Sequence, residues 1–417
     1  MSDGRETLRE RFARVRARTE ALAAPLSAED QQVQAMDSAS PTKWHRAHTT
    51  WFFETFVLAP RGVPPVDARW GRLFNSYYEA VGARVARPRR GLLTRPTADE
   101  VTGYRRVVDG RVDELLAAAE PGDADGRALA ELVTLGLHHE EQHQELILTD
   151  ILAAFALNPL APAYASPTAP AAIVEPRPAG YVDVDGGLVA IGADAGPAFA
   201  FDNERPRHRV FVAPFAIADR LVTWAELSAF VDDGGYATPS LWLSDGLDWV
   251  RAHGIDAPAY ARRDGGRWRV FSLEGEREPA PAEPVGHLSC YEADALSRYL
   301  GARLPTEAEW ELAAASRPVA VDLLGVRPLR PTPAGSGRAQ PFGELWEWTA
   351  SAYAPYPGYV AGPGALGEYN GKFMINQQVL RGGSFATPPG HARHTYRNFW
   401  PAATRFQFTG LRCARDR

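Results

Sequence analysis

The chain is poor in several residues that usually announce a function. Of its 417 residues only two are cysteines, Cys290 and Cys413. That is too few for a disulfide framework or a cysteine-rich zinc site. Lysine also occurs only twice, at Lys43 and Lys372, so arginine carries nearly all the basic charge. Acidic residues outnumber basic ones, 51 to 45, and the formal net charge is −6. Nucleic-acid binding leaves a basic excess, and there is none. No apolar run is long enough to cross a bilayer, since residues 146–157 are interrupted by Thr149 and Asp150. The opening residues, MSDGRETLRERFARVRARTE, are charged and lack the apolar segment of a secretory leader. Against an ordinary background of 45% hydrophobic and 23% charged residues, the expectation is a cytoplasmic enzyme of two or three domains, with no nucleic-acid and no membrane partner.

What is present falls into two unlike halves. Residues 8–22, 41–57, 98–118 and 126–156 place apolar side chains at three- and four-residue steps, which predicts amphipathic helices. Thr97 and Glu100 have the spacing of a capping box. Four such helices predict an up-down bundle over residues 1–158. Residues 159–178 are rich in proline and alanine and read as an extended linker. From residue 179 onward short β-like runs (182–184, 188–191, 208–212) alternate with glycine, proline and aspartate, and helices are expected only at 223–232, 290–300 and 306–315. The overall class is therefore α+β in two domains, the second irregular and rich in ordered loops.

Five of the ten histidines lie in two clusters of the helical half, Trp44-His45-Arg46-Ala47-His48 and His138-His139-Glu140-Glu141-Gln142-His143-Gln144-Glu145. On a helical wheel Leu132, Leu135, His139, His143, Leu146 and Asp150 form one stripe, so His139 and His143 sit one turn apart on the inward face. His138 falls off that stripe. In the first cluster the stripe runs Trp44, His48, Trp51/Phe52, Thr55 and turns His48 inward. Two imidazoles one turn apart, with a third from a facing helix, can bind one metal and leave coordination positions open. A hydrogen-bonded core histidine is the other reading of any one of them, and Glu145 reads equally as a partner of the ligands or as a solvated helix residue.

Between the clusters, Asn75-Ser-Tyr-Tyr-Glu-Ala-Val-Gly82 carries the pair Tyr77 and Tyr78, able to supply a phenol proton or to pack. Arg87, Arg89 and Arg90 follow beside proline and glycine, a loop suited to gripping a carboxylate bidentately or to lying in solvent.

Three strings in the second half, RLPTEAEWE (303–311), GELWEWT (343–349) and VLRGGS (379–384), tie tryptophan to acids and glycines. Together they resemble the formylglycine-generating-enzyme type domain, a fold related to C-type lectins. The copper enzymes of that group use a cysteine pair near the final Tyr-Arg segment. Here that stretch is His391-Ala-Arg-His-Thr-Tyr-Arg-Asn-Phe399, without cysteine, so copper chemistry is not expected. The helical half resembles the DinB-like metal-binding bundle. The fused order, with Ser40–Glu54, Asn75–Gly82, His138–Glu145, Gly367–Phe373 and Thr395–Phe399, resembles the ergothioneine sulfoxide synthases over nearly the whole chain.

That resemblance implies an Fe(II) site at His48, His139 and His143. It implies contacts to N-alpha-trimethylhistidine (hercynine) from Gln142 in the first half and Asn398 and Phe399 in the second. Trp400 stands where some branches have aspartate, which suggests an aromatic cage for the trimethylammonium group. Arg87 and Arg90 match positions that hold the carboxylates of the sulfur donor, γ-glutamylcysteine or cysteine. Tyr77 or Tyr78 would be the catalytic tyrosine. Joining a thiol to an imidazole C–H and oxidising the sulfur to a sulfoxide removes four electrons, which one O2 accepts, giving the sulfoxide oxygen and one water. Two rival readings change the chemistry: a selenoneine synthase taking a selenol from a selenosugar, and a DinB-type metal-dependent thiol transferase. A third, a lectin-like binding module with a vestigial bundle, is disfavoured by the intact histidine set.

Overall fold

Helix α1 (Leu8–Ala23) opens on a capping box in which Thr7 and Glu10 satisfy each other's backbone N–H groups. The structure, a computed structural model, describes residues 6–120, 122–168, 174–196, 198–315, 329–335, 343–362 and 365–417. Four long helices make the first unit: α1, α2 (Thr42–Phe52), α4 (Ala98–Ala118) and α5 (Ala124–Ala156), with a short α3 (Trp70–Phe74) between. The expected box at Thr97 and Glu100 caps α4. α1 and α2 each pack against both α4 and α5, and these pairs, rather than the sequence neighbours α1 and α2, form the main helix–helix interfaces. Sequence neighbours are thus set across from one another, which departs from the simple up-down order.

The central helix α2 departs from its expected amphipathic form. All eleven of its residues are buried, polar ones included. From Lys43 to Thr50 its polar side chains instead find internal partners, as when Arg46 grips Glu20 and Gln31. α2 then loosens into a π-helical turn, Phe53–Leu58. Gly136 on α5 lets the two helices approach, because a Cβ there would lie 2.6 Å from Phe53 Cε1.

The chain clusters into two units. The first runs through Pro159 and takes back a later stretch ending at Tyr369; the second holds the rest. In that returning stretch, Leu366 and Tyr369 pack against the bundle core. The proline- and alanine-rich segment is less free than expected. Tyr164 and Ala165 donate backbone N–H bonds to the Leu273 carbonyl, both at 2.9 Å, so its described beginning is docked on the second unit. Residues 169–173 of it lie outside the described residues.

The second unit is α+β. β1 (Tyr181–Val184), β4 (Phe215–Ala218) and β12 (Ala414–Asp416) form one antiparallel sheet, and β2 (Gly187–Ile191) pairs with β3 (His208–Val212). β5 (Ala261–Asp264), β6 (Arg267–Ser272) and β7 (Gly275–Arg277) form a meander. The fourth sheet has the order β10-β9-β8-β11, built from β8 (Trp346–Ala352), β9 (Gln378–Arg381), β10 (Asn398–Trp400) and β11 (Thr409–Gly410). Helices α6 (Trp224–Asp232), α8 (Cys290–Tyr299) and α9 (Glu307–Ala314) fall where expected. α7 (Ser244–His253) was not expected.

The signature strings of this unit are buried ion and hydrogen-bond networks. Trp310 Nε1 donates to Glu347 Oε2 at 2.7 Å, and Arg412 grips both oxygens of Glu347 at 2.9 Å. Fully buried Arg381 pairs with Glu307 and Glu311. Both cysteines are buried and free, their thiols pushed up to about 12 by burial.

Candidate metal centre and its surroundings

α2 carries His48 and α5 carries His139 and His143, and the close α2–α5 approach brings them together. Each offers one ligand atom within 4.8 Å of the others. His48 Nε2 lies 3.2 Å from His139 Nε2. The opposite nitrogen of His48 donates to the Phe74 carbonyl at 2.6 Å, which fixes the tautomer and leaves Nε2 with its lone pair. Burial pushes the basicity of all three down, His139 to about 3. They are therefore neutral, as a metal requires of imidazole ligands. Three neutral nitrogen donors with nothing charged among them form a group that can hold a metal ion and leave positions open for other ligands.

The expected stripe on α5 is only half right. His139 and His143 do converge, but Leu132, Leu135 and Leu146 on the same stripe are half-buried. The deeper face carries Leu129, Val133, Leu137, Glu140 and Gln144. Its centre is ionic: Glu140 takes Arg16 at 2.6 Å, Arg105 at 2.9 Å and the Thr19 hydroxyl at 2.6 Å. Glu145 is buried rather than solvated. His138 is bonded to Arg11 and Glu141 and stands outside the triad.

Two residues of the centre escaped the sequence reading. His45 Nδ1 lies 2.7 Å from His143 Nδ1, and His45 Nε2 lies 3.0 Å from Asp150 Oδ2. His45 precedes His48 by one turn and Asp150 lies on the histidine stripe, but only the packing of α2 on α5 shows that they meet.

An aromatic and cationic wall adjoins the triad. Trp44 stacks on His48, with centroids 4.5 Å apart and planes 13° apart. On the same indole lies Arg90, its Cζ 3.4 Å from the ring centroid. Arg90 belongs to the 3-10 turn Arg87–Leu92, is buried, and donates to the Ser40 and Ser76 hydroxyls, both at 2.9 Å. Among the described residues it has no ion-pair partner. Burial, then the charges of Arg87 and Arg84, push its pKa down to about 8. Such a buried cation, answered by two hydroxyls and an indole face, can accept a carboxylate. Arg87 is half-buried at the head of the same turn.

Tyr78 is fully buried against Trp51 and Phe56. Tyr77 lies between it and Tyr369, with centroids 4.7 and 6.1 Å away. Burial, then Tyr78, holds the Tyr77 phenol well above its ordinary pKa, so it keeps its proton. Tyr369 packs edge-on to His139 at 5.6 Å and donates its phenol O–H to Gln142 Oε1.

In the second unit, the Asn398 side-chain oxygen accepts the Phe399 backbone N–H at 2.8 Å, which leaves its amide nitrogen uncommitted to that bond. Phe399 lies flat on Tyr353, 4.0 Å and 10° away, whereas Trp400 meets Phe406 edge-on at 5.2 Å. Strand alternation puts Phe399 and Trp400 on opposite faces of β10. The two rings do not close one cage, and the aromatic companions of Phe399 are Tyr353 and Phe373.

Residues 11–147 match the DinB superfamily, and residues 167–320 and 329–417 match the sulfatase-modifying factor enzyme 1-like domain. The chain is 34% identical to the hercynine oxygenase of Mycolicibacterium smegmatis over 99% of each chain. It is also 34% identical to that of Mycobacterium tuberculosis over 97% of each. The formylglycine-generating enzyme of Streptomyces coelicolor is 30% identical, covering 61% of this chain and 96% of its own. That last likeness stops at the second half, while the first two run through histidine-bearing bundle and loop-rich domain alike, and on this end-to-end correspondence the chain belongs to the hercynine oxygenase family.

Proposed function

We propose that the protein is an iron-dependent ergothioneine sulfoxide synthase, joining the sulfur of γ-glutamylcysteine or cysteine to the imidazole of hercynine with O2 as oxidant. The observation that carries this reading is the convergent triad of buried His48, buried His139 and half-buried His143 in a chain alike from end to end to hercynine oxygenases. Fe(II) held by these three would supply the redox chemistry with O2. The remaining work falls to the chain. Arg90, helped by Arg87, binds a donor carboxylate. Gln142, oriented by Tyr369, contacts hercynine. Tyr77 keeps a proton beside the centre and delivers it during O2 reduction, which favours C–S bond formation over simple oxidation of the thiol.

The buried Arg90 favours a donor bearing a carboxylate over a selenosugar. A bare DinB-type thiol transferase has no use for the second half, along which the hercynine oxygenase likeness continues. The test is anaerobic Fe(II) loading, followed by hercynine, O2 and a panel of γ-glutamylcysteine, cysteine and a selenosugar, with products read by mass spectrometry. A C–S sulfoxide and one O2 consumed per product are expected. A C–Se product alone, or thiol consumption without O2 uptake, would overturn the reading.

A further inference from the structure

Each triad histidine treats its second nitrogen differently. His48 gives it to a backbone carbonyl. His139 Nδ1 is buried with no hydrogen-bond partner among the described residues. Only His143 meets another side chain, His45, which in turn meets Asp150. His45 and Asp150 are buried, 2% and 6% exposed, and half-buried His143 completes the chain.

With both imidazoles neutral, the order of donors along this chain follows from one end. A carboxylate only accepts, so at Asp150 the proton of the 3.0 Å bond belongs to His45 Nε2. A neutral imidazole protonated at Nε2 offers a lone pair at Nδ1. The 2.7 Å bond between the two Nδ1 atoms then needs its proton from His143. With Nδ1–H so engaged, His143 keeps a lone pair on Nε2, the nitrogen left for the triad. Reversing the chain would put the proton on His143 Nε2 and remove a ligand. Asp150 is itself fixed by the Ser40 backbone N–H at 2.7 Å.

We propose that Asp150 and His45 are positioning residues that set the tautomer and ring orientation of His143, so that Nε2 faces the metal. The proposal rests on the reading of His143 as a ligand. Partners of this kind typically change metal affinity by about 10- to 100-fold when removed. Packing alone would fix the ring but would not choose which nitrogen carries the proton.

The tautomers are read in the metal-free full chain by long-range 1H–15N correlation of labelled histidine. Wild type is expected to show His143 protonated at Nδ1 and His45 at Nε2. Asp150→Leu keeps the approximate size but removes the oxygen that accepts from His45, so neither tautomer is enforced any longer and both rings should show mixed protonation. Fe(II) affinity by chelator competition should fall about 10- to 100-fold in that variant, and the EPR spectrum of its Fe(II)–nitric oxide adduct should change. His45→Phe, which keeps a ring and removes both bonds, carries the same affinity measurement if circular dichroism shows Asp150→Leu misfolded. Wild-type tautomers and affinity in the folded variant overturn the proposal. His143→Ala keeps the two failures apart: unchanged Fe(II) binding there sinks the ligand assignment itself, while a loss there beside unchanged Asp150→Leu sinks only the positioning chain.

Discussion

Arg90 carries a full charge into the bundle and meets two hydroxyls and an indole face, with no carboxylate paired to it among the described residues. A substrate carboxylate relieves that cost, and a hydrogen bond to a charged group is worth about 1.5–3 kcal/mol. Arg90→Met should therefore raise KM for the thiol donor about 10- to 100-fold and leave KM for hercynine nearly unchanged. Arg90→Lys should recover only part of this, since an ammonium lacks the planar fork. The tyrosines separate in the same way. Tyr77→Phe keeps the ring and removes the proton, so the product should shift from the C–S sulfoxide toward the sulfinic acid of the donor, with sulfoxide formation slowed by about 10²–10⁴-fold. Tyr78→Phe, deep against Trp51 and Phe56, should leave the product ratio unchanged, as mass spectrometry of both products will show.

Among the elements, the contact of α2 with α5 decides whether a centre exists at all. Gly136 sits one turn before His139, and a methyl group there would press on Phe53 at 2.6 Å and on Phe52 at 3.0 Å. Gly136→Ala should cost about 1–3 kcal/mol of stability by overpacking and weaken Fe(II) binding with it, checked by urea denaturation and chelator competition. The ionic core behind the helices sets an acid limit. Burial works to raise Glu20 and Glu140, but Arg46 and Arg105 on the first, and Arg16 and Arg105 on the second, hold both below the ordinary value of 4.5. Their folded pKa lies below the unfolded one, so the stability they contribute is complete above pH 4.5 and is lost as pH falls through the folded value. Glu20→Gln should lower stability at neutral pH and flatten the acid limb of the urea midpoint against pH. The helices were legible because apolar spacing survives in a one-dimensional string, as the capping box at Thr97 does. α7 was not, since it is short and its N-terminal flank, Leu243, gives no side-chain cap. α2 misled because its polar residues are answered across the bundle rather than by solvent, and no spacing rule carries that information.

For the whole molecule, motif and wheel together named the triad, and the wheel alone put His139 and His143 on one face. What they did not give were the pairings made at long range: His45 with His143, Arg90 with Ser40, and the opposite faces of Phe399 and Trp400. These depend on which helices or strands become neighbours, and the order of elements along the chain does not state that. The returning stretch that ends at Tyr369 is the largest such case. Its phenol reaches Gln142 across 227 positions of sequence. A ribosome adding about 5–20 residues each second needs about 10–45 s to cover that interval. All three histidines are therefore synthesised well before the tyrosine that packs beside them, and the centre is built in two instalments. A nascent chain stalled in between carries all three histidines without the neighbouring phenol, and a chaperone that shields them until synthesis ends would spare the cell a half-built centre.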